Sequence, residues 1–299
     1  MDHEQEQDPE DARKQQATEN LAVLPGDDGP PPLQRPQFVT TKEHRRFTEF
    51  ADACRHDRYI GLCYGPPGVG KTLSARQYAG WDIVGPYLQA FRPLDVPVPQ
   101  QAMANRTIIY TPKVCNTPRI VDKEITFLHE RLSWGIEWEL QTPKDFTTLS
   151  KSCGPCAELL IVDEADRLKT PALEQLRDHY DRSQMGVILI GMPGIEKRLA
   201  RYPQLYSRIG FVHEYRPLSA GELAFVLQRH WAALGLTLSA DDFTDAEAIA
   251  AVHRITNGNF RLVQRLFTQI TRVLVINGLS VISREVVETA RESLVIGTL

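Results

Sequence analysis

The sequence predicts an α/β fold, a five-stranded parallel sheet flanked by helices around a phosphate-binding loop, followed by a small all-helical lid domain. Three observations predict it. Residues 59–64 form an apolar run that leads directly into Gly65, Pro66, Pro67, Gly68, Val69, Gly70, Lys71 and Thr72, a complete G-x-x-x-x-G-K-T phosphate loop. A second apolar run, Leu159 to Val162, ends in the adjacent carboxylates Asp163 and Glu164. Strand-like segments alternate with helical ones as far as Arg216, and beyond it only helical periodicity remains.

In chain order, residues 1–36 are polar, acidic and closed by Pro30, Pro31, Pro32 and Pro36, a composition that cannot bury enough apolar surface to offset ordering. They are expected to be a disordered acidic tail. The α/β nucleotide-binding domain is expected over 37–216. It opens on a helical pattern from Thr41, with Phe47, Phe50 and Ala51 on one face, and continues into the strand before the phosphate loop. Thr107 to Tyr110 reads as a second strand and Ile120 to Leu132 as a helix. Leu159 to Asp163 is a third strand, apolar throughout as a doubly covered parallel strand requires, Val187 to Gly191 a fourth and Phe211 to Tyr215 a fifth. Lys71 and Asp163 lie 92 residues apart, more than one crossover pair needs. The proline- and aromatic-rich segments from Trp81 to Arg106 and from Trp134 to Cys156 are therefore read as insertions. In the lid domain, 217–299, helices are expected at Gly221 to Trp231, Asp245 to His253, Asn259 to Ile276 and Arg284 to Ser293. The third is the clearest, with Leu262, Val263, Leu266, Phe267, Ile270, Val273 and Leu274 on one face.

The chemistry follows from the residue types. Glycines let backbone N–H groups close around phosphates at a helix mouth whose dipole favours anions, and Leu73 continues that first turn. Lys71 reaches the outer phosphates, and Thr72 offers a hydroxyl to Mg²⁺. Asp163 stands where a Mg²⁺-bound carboxylate is needed, and Glu164, pointing differently, is placed to polarise an attacking water. ATP and Mg²⁺ are the expected ligands, with hydrolysis the expected reaction.

Composition bounds the rest. The chain has 299 residues and a net charge of −4, with nine acids against three bases in residues 1–36, so the remainder holds 29 acids and 31 bases. A near-neutral body permits a local basic patch without announcing one. Lys113, Arg119, Lys123, Arg131, Lys144 and Lys151 lie between the second and third strands, where solvated surface charge is one reading of each. Trp134 and Trp138, spaced i to i+4, fit packing better than base stacking. No 18-residue apolar stretch and no basic-then-apolar start occur, so no membrane span and no signal peptide are expected. The five cysteines, Cys54, Cys63, Cys115, Cys153 and Cys156, lack a disulfide-framework spacing, which fits a reducing cytoplasm. Cys153 and Cys156 have the spacing of half a zinc site or a redox pair, but that spacing alone is a weak signal, and a proline-glycine turn just before the acidic strand is the simpler reading.

A phosphate loop, an acidic strand end, a further strand and a helical lid together resemble the AAA+ P-loop ATPases over about residues 41–295. The resemblance implies a sheet in which the fourth strand lies between the phosphate-loop strand and the acidic strand. Within that family, Ile161 through Lys169, IVDEADRLK, and the following VILIGMPGIEKRLARYPQLYSRIGF look like the TniB, TnsC and MuB group of transposition regulators. That group implies assembly with ATP on double-stranded DNA as a homo-oligomeric ring or filament that recruits or activates a transposase. It also implies DNA-backbone contacts from the stretch between the second and third strands, which makes Lys113, Arg119, Lys123, Arg131, Lys144 and Lys151 the candidates. It further implies that Arg208, with Arg201 as the runner-up, reaches a neighbouring subunit's nucleotide, and that Arg261, in Gly258-Asn259-Phe260-Arg261, contacts the γ-phosphate from the lid. One position departs from the family: where a polar residue often orients the attacking water, this chain has Gly191 and then Met192. Slow hydrolysis, a timer rather than a motor, is the expectation. A nucleotide-gated protein scaffold and a secretion- or envelope-associated ATPase are the alternatives.

Overall fold

The computed structural model describes residues 38–90, 97–140, 156–183, 185–239 and 242–294. Two compact units emerge, Thr40–Arg216 and, with Val39, the described residues from Pro217 onward.

The first unit is built on a parallel five-stranded sheet ordered β2-β3-β4-β1-β5. Its strands are β1 (Ile60–Tyr64), β2 (Thr107–Tyr110), β3 (Leu159–Val162), β4 (Gly186–Gly191) and β5 (Ile209–Glu214). As expected, β4 separates β1 from β3, which leaves a crevice at their carboxyl ends, where open α/β sheets place ligands. The central strands β3 and β4 are buried along their whole length, which is why they read as unbroken apolar runs. Edge strand β5 alternates half-buried and exposed residues. It runs from Ile209 to Glu214, two residues earlier at its start than the sequence reading, because Ile209 pairs with Ile60 across an irregularity in the register.

Helix α1 (Lys42–Asp57) is capped by the Thr41 hydroxyl and packs on β1, β4 and β5, burying Phe47, Phe50, Ala51 and Cys54. Helix α2 (Lys71–Ala79) follows the phosphate loop. Much of the first expected insertion, and the described start of the second, is helical. The first contains α3 (Trp81–Gln89) and α4 (Gln100–Asn105), with Trp81, Val84 and Leu88 buried on one face despite Pro86. The second overlaps α5 (Pro118–Leu140), eight residues longer at its C-terminal end than the sequence pattern indicated. Its buried residues Val121, Ile125, Leu128, Leu132 and Ile136 keep an i, i+3/i+4 spacing straight through the Trp134–Gly135 pair that had read as a break. Helices α6 (Thr170–Ser183), α7 (Ile195–Leu199) and α8 (Pro203–Tyr206) complete the unit.

The second unit contains α9 (Ala220–Ala233), α10 (Phe243–Thr256), α11 (Phe260–Asn277) and α12 (Arg284–Glu292) around Leu223, Val226, Leu227, Trp231, Val252, Leu266 and Ile270. Each helix begins on a side-chain cap, Ser219, Asp242, Asn259 or Ser283, and Ser219 with Glu222 forms a reciprocal capping box. These caps fix the residue at which each amphipathic run begins.

Candidate functional site

The phosphate loop spans the gap between β1 and α2. Gly70 holds φ +115°, a left-handed conformation that a β-carbon would oppose, and serves as the N-cap of α2 without any side-chain hydrogen bond. The first-turn N–H groups of Lys71, Thr72 and Leu73 therefore point out of the helix without an intrahelical partner, the arrangement that binds anions. Val69 is buried and anchors the loop, while Thr72, Leu73 and Pro67 are exposed. Lys71 is only 9% exposed, and its ammonium donates to the Gly65 carbonyl at 2.5 Å and the Pro66 carbonyl at 2.8 Å, so the loop is curled around its own lysine.

Across the crevice, the Asp163 N–H donates to the Tyr110 carbonyl at 2.9 Å, which fixes the carboxylate one residue beyond β3. Asp163 is 6% exposed. Burial pushes its carboxyl pKa up, while hydrogen bonds from the Thr72 hydroxyl and the Glu164 N–H, and the nearby Lys71 charge, pull it back down. The structure thus brings Thr72, Asp163 and Lys71 together, as the sequence required. A hydroxyl and a desolvated carboxylate are hard oxygen donors whose charge a divalent cation would compensate, and they fit Mg²⁺.

Glu164 stands differently. It adopts φ +54°, uncommon for a residue with a β-carbon, and its carboxylate pairs with Arg167. Arg167 is itself held by the Pro112 carbonyl at 3.0 Å, and its own carbonyl accepts from the Asn116 side chain at 3.1 Å. The water-polarising candidate is therefore tied to the loop after β2. At the end of β4, the Asp166 carboxylate accepts the Met192 N–H at 2.8 Å, and an ideal β-carbon on Gly191 would lie 2.8 Å from the same oxygen. In register, Gly191 lies beside Tyr64 of β1, so the position that polar residues often hold is bare backbone with Asp166 against it. Arg167 and Asp166 were missed by sequence reasoning, although both stand inside the charged run after Glu164.

Arg208 makes a two-pronged pair with Asp181 of α6, Nε to Oδ1 at 2.6 Å and Nη2 to Oδ2 at 2.9 Å, and also bonds the Gln204 carbonyl. That guanidinium holds the Asp181 carboxyl below its usual pKa. The runner-up Arg201 is exposed and makes no ion pair among the described residues. Arg261, in the first turn of α11 behind the Asn259 cap, is exposed and belongs to the second unit.

The basic candidates divide. Arg131 is occupied structurally, bonding the Leu88 and Ala90 carbonyls at the end of α3, and Lys113 pairs with Glu124 at 2.6 Å. Arg119 and Lys123, one turn apart at the start of α5, are exposed and unpaired among the described residues. Lys144, Lys151 and Cys153 lie outside the described residues. Cys156 is half-buried, its thiol 3.6 Å from the Glu137 carboxylate, and no group of three metal-ligating side chains occurs among the described residues. Trp134 is 38% exposed. No described helix is long and apolar enough to cross a membrane.

Comparisons with known proteins agree with this geometry. The family described as AAA domain matches residues 54–199. A Staphylococcus aureus protein described as a potential ATP-binding protein is 46% identical over 267 residues, covering 87% of this chain and 97% of that one. The Mu-like prophage FluMu DNA transposition protein B of Haemophilus influenzae is 24% identical over 248 residues, 79% of this chain and 73% of its own. Among solved structures, the Thermotoga maritima RuvB Holliday junction branch migration motor superposes with a TM-score of 0.55 at 17% identity, covering 88% of this chain and 72% of that one. The Aeropyrum pernix ORC1 protein in complex with DNA gives 0.50 at 18% identity, covering 85% and 65%. At those identities the likeness is one of fold.

Proposed function

This chain belongs to the AAA+ ATPases, and from that premise we propose that it is an ATP-dependent, DNA-binding regulator of transposition. The observation that carries the finer reading is the 24% identity to a DNA transposition protein along 79% of this chain, well beyond the phosphate loop. With ATP bound, copies assemble on double-stranded DNA and recruit or activate a transposase. Slow hydrolysis dissolves the assembly.

Lys71 and the loop N–H groups bind the phosphates, Thr72 and Asp163 would hold Mg²⁺, and Glu164 orients the attacking water once it leaves Arg167. A cation held there would supply charge neutralisation for the phosphates. Arg208 of a neighbouring copy reaches the nucleotide after exchanging Asp181 for phosphate. The pair is reached by solvent on both sides, which screens it and leaves Arg208 able to exchange a carboxylate for a phosphate. Arg261 reads the nucleotide from the lid, and Arg119 with Lys123 are the first DNA contacts to test.

Anisotropy of a fluorescent duplex with ATP, with ADP and without nucleotide tests the proposal. Salt-sensitive binding with ATP alone, abolished in Lys71→Ala, is the expected result, and DNA binding absent in every state overturns it. The bare Gly191 position and the Glu164–Arg167 pair favour one second reading, a nucleotide-gated scaffold that binds ATP without hydrolysing it. Steady-state phosphate release with and without DNA separates the two.

A further inference from the structure

Tyr215 follows β5 directly and is the next-to-last residue of the first unit, which the chain leaves after Arg216. It is 3% exposed and touches the phosphate loop at both ends. Its N–H donates to the Tyr64 carbonyl at 2.7 Å, immediately before the loop. Its own carbonyl oxygen stands 2.1 Å from where a β-carbon on Gly65 would lie, so Tyr215 by itself already requires glycine at the first loop position. At the far end, its hydroxyl stands 3.4 Å from the equivalent point on Gly70 and shares a 2.7 Å hydrogen bond with the buried Ser74 Oγ. Ser74 is one turn into α2, where its N–H donates to the Gly70 carbonyl at 2.9 Å. The Thr41 hydroxyl, at the cap of α1, is a further partner, and burial pushes the phenol pKa up to about 12.

We propose that Tyr215 is a positioning residue for the phosphate loop: through Ser74 it fixes the helical turn carrying Lys71 and Thr72 against Tyr64 and Gly65. The loop is thereby shaped for a triphosphate in advance, and its shape is tied to the strand by which the chain leaves the unit. Preorganisation of this kind appears as affinity, because an unfixed loop must be ordered by the ligand itself. The inference rests on the nucleotide site of the proposed function and not on its DNA.

The test is titration of the full-length protein with a fluorescent ATP analogue, well below the melting temperature and without DNA. Tyr215→Phe and Ser74→Ala are each expected to weaken binding roughly threefold to tenfold, the effect of removing about one net hydrogen bond. The double variant should be no weaker than Tyr215→Phe alone, since Ser74→Ala deletes a bond that Tyr215→Phe has already removed. Tyr180→Phe is the control: it removes a hydroxyl bonded to the Arg58 carbonyl at 2.8 Å, ahead of β1, and should lower thermal stability without changing affinity. If Tyr215→Phe does not fold, Ser74→Ala decides, because it leaves the ring in place. Wild-type affinity in the variants, additive losses, or an equal loss in Tyr180→Phe overturns the proposal alone. Absence of analogue binding by the wild-type protein overturns the nucleotide reading beneath it.

Discussion

A single β-carbon at position 191 would meet two side chains. It would lie 2.5 Å from the Ile195 Cδ1 and 2.8 Å from the Asp166 carboxylate, so a polar side chain fits there only if both of those side-chain ends shift. Gly191→Ser is expected to cost about 1–3 kcal/mol of stability, as overpacking does, without faster phosphate release. A melting curve and a phosphate assay on one preparation check both halves. Glu164 presents the opposite case. Its φ of +54° is strained for any residue with a β-carbon, by about 1–3 kcal/mol. Glu164→Gly should therefore fold at least as stably as the wild type while phosphate release is abolished, and a clear drop in stability would show that the Arg167 pair outweighs the strain. Lys71, Thr72, Asp163 and Glu164 were legible because their chemistry is local to two short motifs. Asp166 against Met192 and Tyr215 against Ser74 were not, because those partners are 26 and 141 residues apart and no periodicity marks them.

At the scale of elements, legibility followed burial. The strands β3 and β4 are covered on both faces and announced themselves as apolar runs, and α11, with one long apolar stripe, was equally plain. Helices α3 and α4 and the second half of α5 were hidden because Pro86, Trp134 and Gly135 look like loop residues. Tertiary packing overrules that propensity: an added β-carbon on Gly135 would lie 3.1 Å from the Tyr87 hydroxyl and 3.2 Å from Val98. One helix pair carries a pH dependence. His129 of α5 and His179 of α6 face each other with ring centroids 6.3 Å apart, and the Nε2 of each is buried without a hydrogen-bond partner among the described residues. Burial lowers both pKa values from the usual 6.5; His179 lowers that of His129 further, whereas around His179 the charges of Asp122 and Asp178 oppose the shift and Arg182 adds to it. The folded state then binds fewer protons than the unfolded chain, so stability is intact above 6.5 and is lost as pH falls from there toward the lowered values. Urea midpoints should drop between about pH 7.5 and about pH 5.5. The drop should shrink in His129→Leu/His179→Leu, without vanishing, because burial also lowers His44, His213 and His230. An unchanged drop in the double variant would assign the whole effect to those three.

Over the whole molecule, the charge distribution opposes the proposed DNA binding before the two molecules touch. The net charge is −4, yet residues 1–36 contribute nine acids and three bases, and the remaining 29 acids and 31 bases sum to +2. An acidic segment tethered to a DNA-binding surface makes the potential that a phosphate backbone must approach more negative, and at a Debye length of about 10 Å the penalty depends strongly on salt. Removing residues 1–36 is therefore expected to tighten ATP-dependent duplex binding severalfold at roughly 50 mM salt and to change it little at roughly 300 mM. Reversing Arg119 and Lys123 to glutamate should act through different physics. A phosphate that the protein no longer neutralises keeps its condensed counterion, so the slope of log affinity against log salt should flatten by about 2 per bound subunit. Long-range repulsion changes affinity most at low salt, whereas removing a phosphate-neutralising side chain changes the slope itself, and one salt series on the two variants tells them apart. A tail deletion that weakens binding at low salt would mean that residues 1–36 bind the duplex themselves, and an unchanged slope in Arg119→Glu/Lys123→Glu would move the DNA surface away from the start of α5.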